Sequence, residues 1–186
     1  MKAKILILIL VLAALTLTAC AKESTADSGS PEGGTTEECP LATTGTQLLT
    51  NADHGYCLLY PTGYDLVQPN PDETVILVGS LLDVEHPKAF VNVQDAAGRT
   101  AAQVADEVEA GMPGFAIQRG SVTIGGEEAV VLDNVPGQDF NRQLVVVHDG
   151  RLYKFMFVPA DPSLGDLYAR MEELYSTVIN SFEFTS

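Results

Sequence analysis

Tryptophan is absent, cysteine and histidine occur three times each, and 10 basic side chains face 25 acidic ones in a chain of 186 residues. Each shortage excludes something. A formal charge of -15 repels phosphates instead of releasing their counterions, which sets aside nucleic-acid binding. No Gly-x-Ser-x-Gly occurs, so a nucleophile elbow is missing. Gly63, Gly79, Gly98, Gly125 and Gly126 stand singly or in turns, and none forms a phosphate-binding loop ahead of a helix. The chain is also too short for the two lobes of a solute receptor, and its length suits one domain.

Long apolar runs are equally scarce. The longest, Ile5 to Leu15, has eleven residues, too few to cross a hydrocarbon core of about 30 Å. It follows Lys2 and Lys4, as the apolar stretch of a secretory signal does. Leu17-Thr18-Ala19-Cys20 then resembles the bacterial lipobox, in which the cysteine thiol receives a diacylglyceryl group and the signal is cut just before it. Residues 1–19 are therefore expected to be a lipoprotein signal peptide and Cys20 the lipidated residue. Two or more acyl chains, at about 0.8 kcal/mol per buried methylene, give stable anchoring. The alternatives are an ordinary signal with a chance cysteine, or a short anchor. Loss of Lys2 and Lys4 takes the formal charge from -15 to -17, so an anionic bilayer repels the domain while the lipid holds it.

Two thiols remain. Cys39 and Cys57 are the only candidates for a bridge in an oxidising compartment, and the alternative is a pair of free thiols with Cys57 a small buried hydrophobe. Between residues 20 and 44 the chain is rich in Ser, Thr, Gly and Glu, and Ala21–Glu38 holds no large apolar residue. Such a segment reads as a tether with a reach of about 25 Å.

Residues 45–186 have the texture of a single folded domain. Tyr56–Tyr60 is β-prone and ends in the Pro61-Thr62-Gly63 turn. Thr74–Leu82 and Ala89–Val93 read as further strands, with loops at Pro69–Pro71 and His86-Pro87. Thr100 and Gln103 have capping-box spacing, and Ala101, Val104, Ala105, Val108 and Met112 make a helical stripe. Two hairpins follow: Ser121–Ile124 with Glu127–Leu132 around Gly125-Gly126, and Gln143–Val147 with Leu152–Val158 around Asp149-Gly150. Asp161 and Pro162 open the last helix, whose stripe runs from Leu164 to Phe182, and Phe182-Glu183-Phe184 closes with a short strand. Strands, helix, hairpins and helix in that order predict an α+β domain, an antiparallel sheet with two main helices packed on it.

Tyr60-Pro61-Thr62-Gly63-Tyr64, Ile124-Gly125-Gly126-Glu127-Glu128-Ala129, Asp149-Gly150-Arg151-Leu152-Tyr153 and Ser181-Phe182-Glu183-Phe184 occur in an order that resembles PsbP-like domains. That group includes the photosystem II extrinsic subunit, the Ran-binding Mog proteins and small bacterial lipoproteins of the DcrB and LpqN type. The resemblance covers about Gly55 to Ser186, with Tyr64 standing where such domains often have Trp. It implies an αβα sandwich, binding or assembly roles, and no enzyme activity. None of the group's partners carries over.

Candidate chemistry is thin. Asp83, Glu85 and His86 share one loop, which cannot converge the three or four ligands a metal requires, so a solvated acidic loop is expected and neither metal nor cofactor. Asp53-His54 falls in a loop and His148-Asp149 in a hairpin turn. Tyr168 and Tyr175 lie on the apolar stripe of the last helix, and Asp106, Glu107 and Glu109 on the outer face of the first. The leading expectation is a non-catalytic binding or assembly module of the cell envelope, lipid-anchored on the extracytoplasmic face. Its partners are the membrane, through Cys20, and an envelope protein or small ligand. The alternative, an envelope hydrolase or metal-dependent enzyme, requires His54, His86 or His148 buried in a cleft beside a carboxylate.

Overall fold

At Gly125-Gly126 and Asp149-Gly150 the backbone holds positive φ at both positions, 53° and 78° in the first turn and 47° and 77° in the second. Two consecutive left-handed residues make a tight turn whose twist matches that of the strands it joins. The computed structural model describes residues 39–185. In chain order these form β1 (Thr46–Asn51), β2 (Tyr56–Pro61), β3 (Asp65–Asn70), β4 (Glu73–Leu77), β5 (Lys88–Asp95), α1 (Ala101–Ala110), β6 (Gln118–Ile124), β7 (Glu127–Val135), β8 (Asn141–His148), β9 (Arg151–Val158), α2 (Asp166–Ser181) and β10 (Glu183–Phe184).

Seven strands pair antiparallel in the order β3-β4-β5-β9-β8-β7-β6, and a smaller sheet has the order β1-β2-β10. The two-residue period of the large sheet divides its side chains between two faces. Tyr153, Phe155 and Phe157 of β9 and Leu144 and Val146 of β8 pack with β2 and with Met171, Leu174 and Val178 of α2. On the other face Val145 and Leu152 meet Val104 of α1, and Leu132 and Val135 meet Ala105. Helices therefore cover both faces, with the small sheet sharing the α2 side. This is the expected α+β fold, with its antiparallel sheet between two helices.

The α2 side carries the aromatic core. Phe182 stacks on Tyr56 at 5.5 Å and meets Phe155 edge-on at 5.2 Å. Ser181 Oγ accepts the Leu59 N–H at 2.8 Å, which fastens the end of α2 to β2. A Cβ on Gly125 would stand 2.6 Å from the Phe184 ring, so the β6–β7 turn is glycine for close approach as well as for its φ. On the other side Thr100 caps α1 as expected: its hydroxyl accepts Gln103 N–H, and Gln103 Oε1 accepts Thr100 N–H.

Several boundaries differ from the sequence reading. β1 precedes Tyr56, so Cys57 lies in the second strand and not the first. β3 runs through Pro69 as an edge strand with all six residues exposed, so its side chains carry no burial periodicity. The strand expected to reach Leu82 stops at Leu77, and Gly79 at φ 71° turns the chain away. Asp161 and Pro162 begin a 3-10 turn over Pro162–Leu164, and Gly165 at φ 55° separates it from α2. Leu164 thereby leaves the α2 stripe for solvent. Met112 falls past the end of α1, though it still packs under it.

Candidate functional site

Cys39 and Cys57 form a disulfide, with their Cα atoms 5.7 Å apart and Cys57 fully buried. Of the two readings left open for these thiols, the bridge is the one that holds. Cys20, the signal and most of the expected tether lie outside the described residues.

Each histidine meets a carboxylate. The His54 side chain is 16% exposed, and its Nε2 lies 2.9 Å from the Pro71 carbonyl and 3.6 Å from Asp72 Oδ1. A carbonyl only accepts, so Nε2 carries the proton, and Asp72 is beyond hydrogen-bond range. His54 lines an open cleft of about 580 Å³ with Asp53, Asp72, Asp95, Asp149 and Arg151, and among the described residues no serine, threonine or cysteine borders it. Tyr153 Oη donates to the His54 carbonyl at 2.7 Å, and Arg151 to the Asp53 carbonyl at 3.1 Å. These contacts hold the β1–β2 turn in place. His148 Nδ1 lies 3.1 Å from Glu127 Oε1, joining two hairpin turns, and its ring stacks on Phe184 at 4.0 Å. Among the described residues no hydroxyl or thiol bonds any histidine ring, and no three His, Cys, Asp or Glu side chains converge as a metal site would need.

The third histidine belongs to a different arrangement, at the far end of β9. In the loop between β4 and β5 the Asp83 carboxylate accepts the Glu85 N–H at 2.8 Å and the His86 N–H at 3.0 Å, with His86 Nδ1 at 3.2 Å. These bonds, the one from Glu85 first, hold the Asp83 carboxyl below the usual carboxylate range. Lys88 Nζ donates to the Asp83 carbonyl, and Arg170 of α2 donates to the Glu85 carbonyl at 2.7 Å. The Asp83 carboxylate and the Lys88 ammonium are thus held against the loop's own backbone, while Glu85 stays exposed and Leu82 is 89% and Val84 71% exposed.

Opposite this loop Leu164 is also exposed, and a cleft of about 450 Å³ opens between the two sides over Phe90, Met156 and Leu167. A second hollow beside it is lined by Phe115, Phe140 and Leu164. The far wall is held as firmly as the near one: Asn141 Nδ2 donates to the Val135 carbonyl at 3.0 Å, and the Ala160 N–H to the Phe140 carbonyl at 2.7 Å. Asp83, Asp139 and Asp161 stand at the rim. Asp161 is also held low, by the backbone N–H of Ser163 that it accepts. The arrangement can bind an apolar group beside a cation. Sequence reasoning does not find it, because Leu81 and Leu82 continue the apolar run from Thr74 and read as the end of a strand. The available signal was an apolar cluster lying between Gly79 and Pro87.

Arg142 was also overlooked. Its Nε bonds Asp133 at 2.5 Å, its Nη1 bonds Glu172 at 3.0 Å, and its guanidinium sits 4.5 Å over the Tyr175 ring. Burial works to lower its pKa, but the bonds to Asp133 and Glu172 outweigh this and raise it. The group ties α2 to β7 and β8.

No family model and no curated protein matches the sequence. Solved structures do match the fold. The cyanobacterial PsbP (CyanoP) of Synechocystis sp. PCC 6803 superposes with a TM-score of 0.51 at 19% identity, over 83% of this chain and 99% of that one. A Bacteroides thetaiotaomicron protein superposes at 0.54 with 11% identity, over 76% of this chain and 49% of that one, so this chain spans about half its length. LpqN of Mycobacterium tuberculosis, described as involved in cell envelope biogenesis, gives 0.48 at 14% identity, over 76% and 91%. The cyanobacterial likeness gives the domain a PsbP-like α+β fold, as the order of its motifs implied.

Proposed function

We propose that the chain is a lipid-anchored bacterial lipoprotein whose extracytoplasmic domain is a non-catalytic binding or assembly module of the cell envelope. The binding role rests on one observation, the cross-linked 78–87 loop that is tied through Asp83, Lys88 and Arg170 and displays Leu82 and Val84 to solvent. A loop serving only to connect β4 and β5 has no need of apolar side chains in water, and clustered exposed apolar groups mark interaction sites. The disulfide supports an oxidising compartment. No helix among the described residues is long and apolar enough to cross a membrane. Attachment through Cys20 is the reading that the Lys2–Cys20 pattern supports.

The anchoring is tested by labelling bacteria that express the protein with radioactive palmitate and weighing the mature product. The expected result is label in the wild-type protein and a diacylglyceryl-modified N-terminus at Cys20. Cys20→Ser should carry no label. Label retained by that variant would show the lipoprotein reading to be wrong.

A further inference from the structure

We infer that the cleft between the 78–87 loop and the Leu164 turn docks a segment of another protein in which apolar side chains are flanked by lysine or arginine. This rests on the reading of the domain as an envelope binding module, and it names the surface and the partner's chemistry.

The apolar half of the recognition is displayed before any partner arrives. Leu82 and Val84 stand on a loop tied through Asp83, Lys88 and Arg170, Leu164 faces them across the cleft, and Phe140 lines the hollow beside it. A preformed surface loses little conformational freedom on binding, which favours a short segment as the occupant. The charged half lies at the rim. Asp139 edges both the cleft and the hollow beside it, and Asp161 edges the hollow. Lys88, the lysine that lines the cleft, is already engaged, buried against the Asp83 carbonyl, and His86 Nδ1 lies 3.2 Å from the Asp83 carboxylate. Acidic side chains around an apolar floor favour a partner that carries cations beside its apolar groups.

Composition and charge also weigh against other occupants. The chain's own Ala21–Glu38 segment has no large apolar residue to fill the cleft. A second copy would bring a formal charge of the same sign and the same acidic rim, and an anionic bilayer would meet the same repulsion. Position agrees as well. Cys39 is bonded to Cys57, next to Tyr56, whose ring meets Tyr153 near the start of β9. The cleft lies over Met156 and Val158 at the end of the same strand. The Cys39–Cys57 bridge lies toward the start of β9 and the cleft toward its end.

The test uses residues 20–186 carrying Cys20→Ser, which retain every core residue from Leu49 to Phe184. A fluorescent peptide of alternating leucine and lysine is titrated against it, with the leucine–glutamate counterpart and phosphatidylcholine vesicles, with and without phosphatidylglycerol, as separate arms. The leucine–lysine peptide should bind, and amide shifts should move in residues 79–87, 137–141 and 161–168. Leu82→Ser with Val84→Ser should weaken binding about tenfold while leaving the melting temperature unchanged, since both side chains are at the surface. Asp139→Asn should weaken it about threefold, and less at high salt. Asp149→Asn removes the same charge at the opposite end and should change nothing.

Equal binding by the Leu82/Val84 variant, or shifts centred on Asp53 and Asp149, would overturn the proposal. So would preferential binding of vesicles or of the glutamate peptide, or a dimer in sedimentation that the Leu82/Val84 variant abolishes. Because the lipid-free chain is used, failure here leaves the Cys20 labelling result standing, and failure of the labelling leaves this titration intact.

Discussion

The two ends of the large sheet are both held by hydrogen bonds to loop carbonyls, yet they present opposite surfaces. Near the start of β9 Tyr153 and Arg151 reach the carbonyls of His54 and Asp53, and the exposed side chains around them are Asp72, Asp95 and Asp149. Near its end Lys88 and Arg170 reach the carbonyls of Asp83 and Glu85, and Leu82 and Val84 stand exposed among Glu85 and Asp139. The backbone is fixed in both places by the same means, so exposure of the leucines does not come from a poorly held loop. An apolar side chain in water is informative where its backbone is tied down, and much less so elsewhere.

The largest expected effect strikes the polar end. Replacing Cys39 and Cys57 together with serine removes the bridge across a separation of 18 residues and should cost about 3 kcal/mol, read as a lower urea midpoint. The apolar cleft at the far end should keep its affinity for the leucine–lysine peptide. If that affinity falls in step with stability, the two ends act as one unit and the contrast between them fails.

A smaller change sharpens the same comparison. Tyr153→Phe deletes the bond to the His54 carbonyl and should lower stability by about 1 kcal/mol in thermal melts. The loss should be accompanied by faster amide exchange around Asp53–Gly55, with residues 81–86 unaffected.

The smallest effect belongs to Asp83 and is a matter of pH. Its folded pKa lies below the ordinary value of 3.8, so its contribution is present above that value and disappears as pH falls through the folded pKa. Amide protection in residues 83–86 should therefore decline under acid conditions, while protection in the turn tied by Tyr153 stays level. A loop whose protection does not change with pH would show that Lys88 and Arg170 hold it without the carboxylate.

How much was legible depended on whether a signal was local. The capping box at Thr100 and Gln103 and the turns at Gly125-Gly126 and Asp149-Gly150 were read correctly, because each depends on residues within a few positions. The α2 stripe from Leu167 to Phe182 was read for the same reason, since helical spacing is set by neighbours. Leu164 was misplaced because Asp161-Pro162 opens a 3-10 turn as readily as a helix, and Gly165 decides between them. β3 escaped because an exposed edge strand needs no apolar alternation. The Arg142 cluster escaped because Asp133 and Glu172 reach it from two other elements.

The same division holds for the candidate site. From the sequence alone came the charge, the pattern from Lys2 to Cys20, the hairpins, the helices and the order of motifs, all carried by composition or short-range spacing. Only the tertiary structure decided which apolar residues face water. Leu81, Leu82 and Val84 follow Val75, Ile76 and Leu77 with nothing in their composition to separate a buried strand from a displayed loop. They are outside because Asp83 folds back on the backbone N–H groups after it and Lys88 on the carbonyl before it. Arg170, 85 residues away from Glu85, holds the loop from α2. Contacts made across that distance depend on the packing of the whole sheet, and no window of sequence contains them.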